Sequence, residues 1–434
     1  MVKKLTFLSL FAAVSLMADS ELDALKAQLQ EQQKTTQKLL QKVTKLEKKQ
    51  QQAQALQAKK AKEQEDASLD AAFAKDTSSS FSQTSYLPDI ALILNMSAVG
   101  RNVKNSDYAN FAIPGFIDAP VKPELPYNKE RGFNLNYAEV AMHSMVDPYF
   151  EAFAIFHLHP AAFEIEEAYV TTTSLPAGLR VKAGKFKSAF GRINEKHQHS
   201  WHFDEQPIIY KALFGPDGIS DPGLQVQWVA PTDTYIMAGI DAMQGSNTRS
   251  FGDTEINNLY VGYLKSSLDL TDNLSVLGGV SWAHGKTTEK KSSDVYGVDL
   301  TFRDQLGSYS ALTWQSEYLQ RNKDTNNTIV ATQKQGGLYS ELVYQYNNNY
   351  SAGVRYEKIT KNDTDLSAYT NNGIDTSNLD KYTVMLQYKP FPFSRLRLEY
   401  SHDRTKVIAG QRKDVDTAML TLNIAAGAHP AHAY

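Results

Sequence analysis

From Tyr86 onward, apolar and polar residues alternate with a period of two, the spacing that places successive side chains on opposite faces of a β-strand. In one stretch the apolar positions are Tyr296, Val298, Leu300 and Phe302. The positions between and after them are Gly297, Asp299, Thr301 and Arg303. The same alternation recurs within 382–389, 395–401 and 417–424. The pattern predicts an all-β domain built from many amphipathic strands.

Several of these apolar faces begin and end with an aromatic residue, as Tyr382 and Tyr388 do. Transmembrane β-barrels place aromatic girdles at both membrane interfaces, with an apolar band between them. The opposite faces carry charged residues, which a water-filled lumen accommodates and a dry core does not. We therefore expect the apolar faces to contact lipid and the polar faces to line a lumen wide enough for water.

Short and long connections mostly alternate along this region. The short turns lie near 146–148, 175–178, 230–233, 270–273, 305–308, 347–349 and 390–393. The longer polar loops are 101–131, 188–222, 245–255, 321–335, 360–380 and 405–414. Bacterial barrels have short periplasmic turns and long outer loops, so the pattern predicts a transmembrane antiparallel β-barrel of about 16 strands. A soluble exported β-sandwich is the competing architecture.

The N-terminal residues have a different character. Leu5 to Met17 form an apolar run after two lysines and before Ala18, so residues 1–18 are predicted to be a signal peptide. This run is too short to cross a bilayer as a helix, which needs about 20 apolar residues.

Residues 19–65 are rich in Gln, Lys, Glu, Leu and Ala, and Leu22 and Leu29 begin a heptad pattern. This predicts an N-terminal α-helical coiled coil in the periplasm, whose alternative is a lone solvated helix. Residues 66–85 are predicted to be a linker, and 86–434 the outer-membrane barrel.

Composition narrows the possible functions. The 434 residues carry a formal net charge of -3 and no cysteine, so the chain forms no disulfides, and its charge does not favour nucleic-acid binding. No GxSxG, P-loop, HExxH or cysteine-nucleophile motif stands out. We therefore expect neither an enzyme with catalytic residues nor a required cofactor.

The long connection 188–222 carries the candidate site. A long loop that folds into a barrel narrows it, and its charges set selectivity. The candidate constriction residues are Arg192, Lys196, Asp204 and Glu205.

Histidines in the same connection suggest a second use. His197, His199 and His202 offer imidazole nitrogens that suit zinc or copper. A hydrated surface loop with several histidines is the simpler interpretation. A second histidine candidate lies at a strand end, with His157 and His159 near Glu164 and Glu166.

Charged residues on the polar faces are the candidate pore lining. They are Asp299, Arg303, Arg355, Glu357, Lys381, Arg395, Arg397 and Glu399. Their mixed signs predict a field across the lumen and weak ion selectivity. The alternative is that they pair with one another to satisfy charge inside the barrel.

One region resembles known proteins. It reads VDPYFEAFAIF from Val146, KAGKFKSAFG from Lys182 and FGPDGISDPGLQ from Phe214, and the chain ends in GAHPAHAY. These stretches resemble a family of proteobacterial outer-membrane proteins often labelled zinc-regulated or TonB-dependent receptors. The KAGKFKSAFG stretch is also similar to a strand of the phosphate-selective porins. That resemblance implies a signal peptide, a short coiled coil and a 16-strand barrel.

The chain departs from the receptor label. TonB-dependent transporters carry a globular plug before a 22-strand barrel, whereas the pattern before Tyr86 shows a coiled coil and a linker. The arginines behind phosphate selectivity cannot be aligned residue by residue, so that specificity is not carried over.

Three functions follow as hypotheses. The first is a porin-like channel for passive diffusion of small hydrophilic solutes or ions, embedded in outer-membrane lipid, for which a homotrimer is a candidate assembly. The second is an outer-membrane receptor or uptake protein that binds a metal such as zinc through the histidine loop. The third is an anchor whose coiled coil contacts peptidoglycan or another envelope protein.

Overall fold

The computed structural model describes residues 88–118, 130–159 and 162–427. The predicted signal peptide, coiled coil and linker lie outside the described residues, as do the C-terminal positions 428–434.

Sixteen strands of the described chain form one closed antiparallel barrel. They are β1 Asp89–Arg101, β2 Gly132–Asp147, β3 Phe150–His159, β4 Ala162–Thr172, β5 Leu179–Lys187, β6 Ser220–Val229, β7 Tyr235–Met243, β8 Leu259–Asp269, β9 Leu274–Lys286, β10 Ser292–Gln305, β11 Ala311–Asp324, β12 Thr332–Gln345, β13 Tyr350–Asp363, β14 Asp380–Phe391, β15 Ser394–Asp403 and β18 Val415–Gly427. Each strand pairs with its sequence neighbour, and β18 pairs with β15 and β1 to close the ring. The predicted fold class and strand number are confirmed.

The connections follow the predicted alternation, with two exceptions. Seven short turns join the strands at one end, which also holds the start of β1 and the end of β18. At the other end, which we call the loop end, the connections 160–161 and 287–291 are short, unlike their neighbours. The loop-end connections contain a small hairpin, β16 Val407–Ile408 with β17 Gln411–Arg412.

The described parts of the loop-end connections contain three short α-helices: α1 Asn105–Tyr108, α2 Ile208–Phe214 and α3 Ser367–Thr370. In the described part of the chain, none of the helices has the length and apolarity needed to cross a membrane.

The strands present their apolar faces outward. On β14, Tyr382, Val384 and Leu386 are exposed on the outside, while Lys381, Thr383 and Met385 between them are buried inside. Aromatic rings pair across β13 and β14 at two heights, Tyr350 with Tyr388 and Tyr356 with Tyr382. The two pairs are six residues apart along the strand, or about 20 Å. They bracket an apolar band of the kind that a membrane barrel turns to lipid.

The lumen differs from the wide, wet channel predicted from the sequence. Apolar residues of the loops, including Phe111, Phe190, Leu213, Phe251 and Ile408, form a buried cluster with inward-facing strand residues. This dry core occupies part of the barrel interior, because apolar loop residues lose contact with water by folding inward. The predicted wide, wet lumen is therefore occupied in part by apolar side chains.

Candidate functional site

Residues 188–219, here called the inner loop, fold into the barrel after β5. The loop turns at Gly191, whose φ of +62° lies in the left-handed region that favours glycine. The Gly191 amide donates to Ser281 Oγ at 2.9 Å, and the Arg192 amide donates to Glu317 Oε1 at 3.1 Å. Tyr210 of α2 donates to the same Glu317 oxygen at 2.7 Å. These bonds fix the first turn of the loop against β9 and β11.

The inner loop then reaches β13 and β15 on another part of the wall. Glu399 accepts a hydrogen bond from the Asp204 amide at 2.8 Å, and Glu357 accepts one from the Ile208 amide at 2.7 Å. Arg397 donates to the Trp201 carbonyl oxygen at 2.8 Å. Carboxylates of the barrel wall thus accept hydrogen bonds from backbone N–H groups of the loop. These bonds replace the hydration that the buried carboxylates lose.

Side-chain ion pairs add to this attachment. Lys381 on β14 contacts Glu205 of the loop, and His202 pairs with Glu341 on β12 at 2.6 Å. The Arg355 guanidinium lies 4.7 Å from the centre of the Phe203 ring. The inner loop therefore crosses the lumen and is attached on several sides.

Three cavities lie beside this loop, and each shares lining residues with the next. The vestibule, about 780 Å³, lies at the loop end and is lined by His159, Glu164, Lys185, Asp221 and Arg249, among others. The middle cavity, about 40 Å³, shares Glu166, Lys187, Pro216 and Asp217 with the vestibule. The inner cavity, about 20 Å³, shares Trp201 and Glu205 with the middle one.

The cavity volumes fall sharply from the vestibule to the inner cavity. A water molecule needs a cavity of at least about 10–15 Å³ on this measure, so the two narrow cavities hold one to a few waters. Trp201 and Glu205 line both of them and define the constriction. Acidic and basic side chains both line the path: Lys196 and Arg355 lie in the inner cavity with Glu205 and Glu341.

A cluster of histidines and glutamates lies beside these cavities, since Glu166 lines the vestibule and the middle cavity and His157 lines the middle cavity. His157 Nε2 lies 2.7 Å from Glu166 Oε2 and 3.2 Å from Glu139 Oε2. His197 Nδ1 lies 3.0 Å from Glu166 Oε2 and 3.9 Å from Glu139 Oε2. Four facing donor atoms, one from each residue, lie within 4.8 Å of one another.

A β-bulge makes this cluster possible. In the pairing of β3 with β4, Ile155 lies opposite Glu167 and Phe156 opposite Ile165, which leaves Glu166 as the extra residue. A bulge changes the direction of side chains, so the consecutive residues Glu166 and Glu167 both face the inner loop. Both accept contacts from His197, Glu166 at Nδ1 and Glu167 at Nε2.

The electrostatics of the inner loop follow from these neighbours. Burial of His197 opposes its charged form, but Glu166 and Glu167 outweigh burial and raise the pKa of His197 well above its ordinary value. Burial, together with the nearby Arg192, lowers the pKa of Lys196 to about 8.

The predicted site residues have different surroundings. Arg355, Glu357, Lys381, Arg397 and Glu399 are buried inside the barrel and contact the inner loop or one another. Asp299 is also buried inside, Arg395 is half-buried, and Arg303 is exposed near the short-turn end.

The predicted loop residues are all inside the barrel or half-buried at its lumen. Arg192 and Lys196 are half-buried, Asp204 is buried, and Glu205 is half-buried. His197 and His199 stack at 5.7 Å between ring centroids, and His199 Nδ1 lies 3.4 Å from Glu139. His202 is not brought to this cluster but pairs with Glu341. One histidine from each of the two sequence candidates, His157 and His197, joins in a single cluster.

Sequence reasoning missed Glu139, Glu167, Glu317, Glu341 and Trp201. Glu139 lies two positions after Tyr137 in an alternating stretch, so the two side chains point to the same face of the strand. That spacing was a signal for the inward position of Glu139. For the inner loop, the apolar run Ile208–Phe214 was a signal, because a hydrated loop has no use for it. Sequence alone held no signal for the bulge at Glu166.

Comparison with solved structures places the barrel in the fold class of outer-membrane porins and channels. Salmonella typhi OmpF in complex with daunomycin has a TM-score of 0.51 at 8% identity, over 79% of this chain and 98% of that one. An anion-selective porin from Comamonas acidovorans has 0.50 at 9% identity, over 78% and 99%. The outer-membrane channel DcaP of Acinetobacter baumannii has 0.50 at 12% identity, over 80% and 99%. At these identities the likeness concerns the fold alone.

A closer relative defines the family. An uncharacterised protein of Aquifex aeolicus (strain VF5) is 38% identical over 387 residues, which cover 82% of each chain. The present chain belongs to the same family as that protein. No family model matches the chain.

Proposed function

We propose that the protein is an outer-membrane channel of porin type, which lets small hydrophilic solutes and ions diffuse passively past the inner loop. The observation that carries this proposal is the series of three cavities with shared walls, from the vestibule to Glu341 and Arg355 in the barrel interior. The outward apolar band and its aromatic pairs support a position in the membrane. The fold likeness to porins and channels agrees with it.

The size of the constriction limits the permeating solutes. Since the narrow cavities hold one to a few waters, partly dehydrated ions and very small solutes fit the path better than sugars do. The mixed charges of the lining favour weak ion selectivity, because neither sign of ion meets a uniform field. Assembly as a homotrimer and contact with peptidoglycan stay predictions.

Proteoliposomes test the proposal through a series of solute sizes. We expect purified protein to accelerate the flux of K⁺, Cl⁻ and glycine, and to leave a disaccharide excluded. Vesicles that contain heat-denatured protein are the control. Equal leakage of all solutes would point to damaged bilayers, and no flux above the control would reject the channel.

A further inference from the structure

We propose that Glu139, His157, Glu166 and His197 bind one divalent transition-metal ion of the zinc class. The ion would attach the inner loop to the barrel wall, because His197 belongs to the loop and the other three residues belong to β2, β3 and β4. Binding itself does not depend on channel activity; an effect of the metal on conductance rests on the proposed function.

The donor spacing fits a small tetrahedral ion. Zinc lies 2.0–2.2 Å from nitrogen and oxygen ligands, so the four donors of a tetrahedral site are about 3.3 Å apart. The histidine-to-glutamate separations run from 2.7 Å for His157 to Glu166 up to 3.9 Å for His197 to Glu139, and all four donor atoms lie within 4.8 Å of one another. These contacts bracket the required value, so the side chains would have to draw together at the longer separations and move apart at the shorter ones.

A carboxylate behind a ligand histidine is an independent sign of a metal site. Histidines that bind metal generally donate their other ring N–H to a carboxylate, which orients the ring and raises its basicity. His197 turns Nδ1 toward the cluster, and its Nε2 lies 2.8 Å from Glu167 Oε2. The second oxygen of Glu166 is similarly held by Lys187, at 2.9 Å from Nζ.

Glu139 adds a buried negative charge with remaining capacity. Its side chain is 1% exposed, and its Oε1 accepts no hydrogen bond within the described part of the chain. His157, His197 and His199 already lie beside Oε2, but a buried carboxylate oxygen without a hydrogen bond still carries a desolvation cost. A metal ion that replaces the imidazole protons at Oε2 would offset that cost and leave Oε1 able to approach it as well.

The donor set selects the class of metal. Two imidazoles with two carboxylates suit zinc and its first-row neighbours, whereas calcium takes six to eight oxygen ligands and magnesium prefers oxygen with water. We expect zinc, cobalt and nickel to bind, and calcium and magnesium to bind far more weakly.

The first test measures binding on the full-length protein in detergent, after treatment with a chelator. Titration calorimetry with Zn²⁺ should give one ion per chain, and Co²⁺ should develop the visible absorption of a tetrahedral site. His157→Gln and His197→Gln should each abolish the cobalt band. Glu167→Gln, which leaves all four ligands in place, should weaken affinity by about 10- to 100-fold.

His143→Gln is the matched control. His143 lies on β2, pairs with Glu151 at 3.2 Å and stands outside the cluster, so its loss should leave zinc affinity unchanged. Heat-modified gel mobility identifies variants that fail to fold. Absence of stoichiometric zinc binding to the folded wild type would overturn the proposal, as would the same affinity in folded His157→Gln and His197→Gln.

Bilayer recording separates this proposal from the channel. A zinc-dependent change of conductance that His197→Gln removes supports both. Stoichiometric binding to a barrel that never conducts supports the metal site and rejects the channel. Conductance without stoichiometric zinc binding supports the channel and rejects the metal site.

Discussion

Trp201 lines both narrow cavities, which places it at the narrowest part of the proposed path. The Trp201 indole N–H donates to the Lys196 carbonyl oxygen at 2.9 Å, and the Trp201 carbonyl oxygen accepts a hydrogen bond from Arg397. The residue is therefore fixed at its side chain and at its backbone. In the proposed channel, we expect a fixed ring at this constriction to set the conductance more than any charge in the wider vestibule does.

Trp201→Ala should increase single-channel conductance several-fold, because it removes the largest side chain shared by the two cavities. The control is Trp282→Ala, which removes an indole exposed on the outside of β9. Unchanged conductance in Trp201→Ala would show that the path runs elsewhere.

Lys381 compensates Glu205, the acidic residue that lines both narrow cavities. Lys381→Met should remove the positive charge that contacts Glu205 and shift the reversal potential in a KCl gradient toward cation selectivity. Lys290→Met removes a comparable pair, since Lys290 contacts Glu255 at 2.7 Å, but both residues are exposed in loops. An equal shift in both variants would contradict a local effect of Glu205.

At the scale of elements, the inner loop depends on a sharp turn beside β11. A Cβ at Gly191 would collide with Glu317 Oε1 and with the Tyr210 hydroxyl, in a backbone conformation that already disfavours L-residues. Both collision partners hold the loop in place, so there is little room for them to move.

Gly191→Ala should therefore loosen the inner loop while the strands stay paired. We expect faster proteolytic cleavage within 188–219 and larger, noisier conductance. Gly373→Ala is the matched control, since Gly373 has φ +72° and no heavy atom within 4 Å of an added Cβ. Cleavage at the wild-type rate in Gly191→Ala would mean that the loop tolerates displacement of its first turn.

Strands and turns were predictable from the sequence, whereas the inner loop was not. Alternation of side chains is local, so Tyr382, Val384 and Leu386 reveal their outward face without knowledge of the partner strand. The course of the loop depends on contacts such as Arg192 with Glu317, which are 125 residues apart. Likewise, the sequence indicated His157 and His197 as separate candidates. Both contact Glu166, and the bulge that turns Glu166 toward them has no signal in the sequence.

At the scale of the whole molecule, the outward apolar face suits the barrel to a position in a bilayer. In lipid, every backbone N–H and C=O group needs a partner within the protein, and closure between β1 and β18 removes the open edges of the sheet. The dry core in the lumen does not replace this outer surface, because the two lie on opposite faces of the same strands.

Leu386→Arg should destabilise the folded barrel in a bilayer by about 2–4 kcal/mol, the cost of an arginine facing the middle of the membrane. Leu386 is 61% exposed, near the centre of β14. Leu306→Arg is the control, because Leu306 is 54% exposed but lies in a short turn. Urea unfolding in vesicles measures both; equal stability of the two variants would contradict a lipid-facing β14.

Single-channel recording of the purified full-length wild type in a planar bilayer tests the central claim most directly. If the cavities beside the inner loop form a conducting path, the protein should produce discrete, uniform current steps, linear in voltage, with a small conductance and a reversal potential close to zero in a KCl gradient. A folded protein that inserts into the bilayer without any current steps would contradict the account.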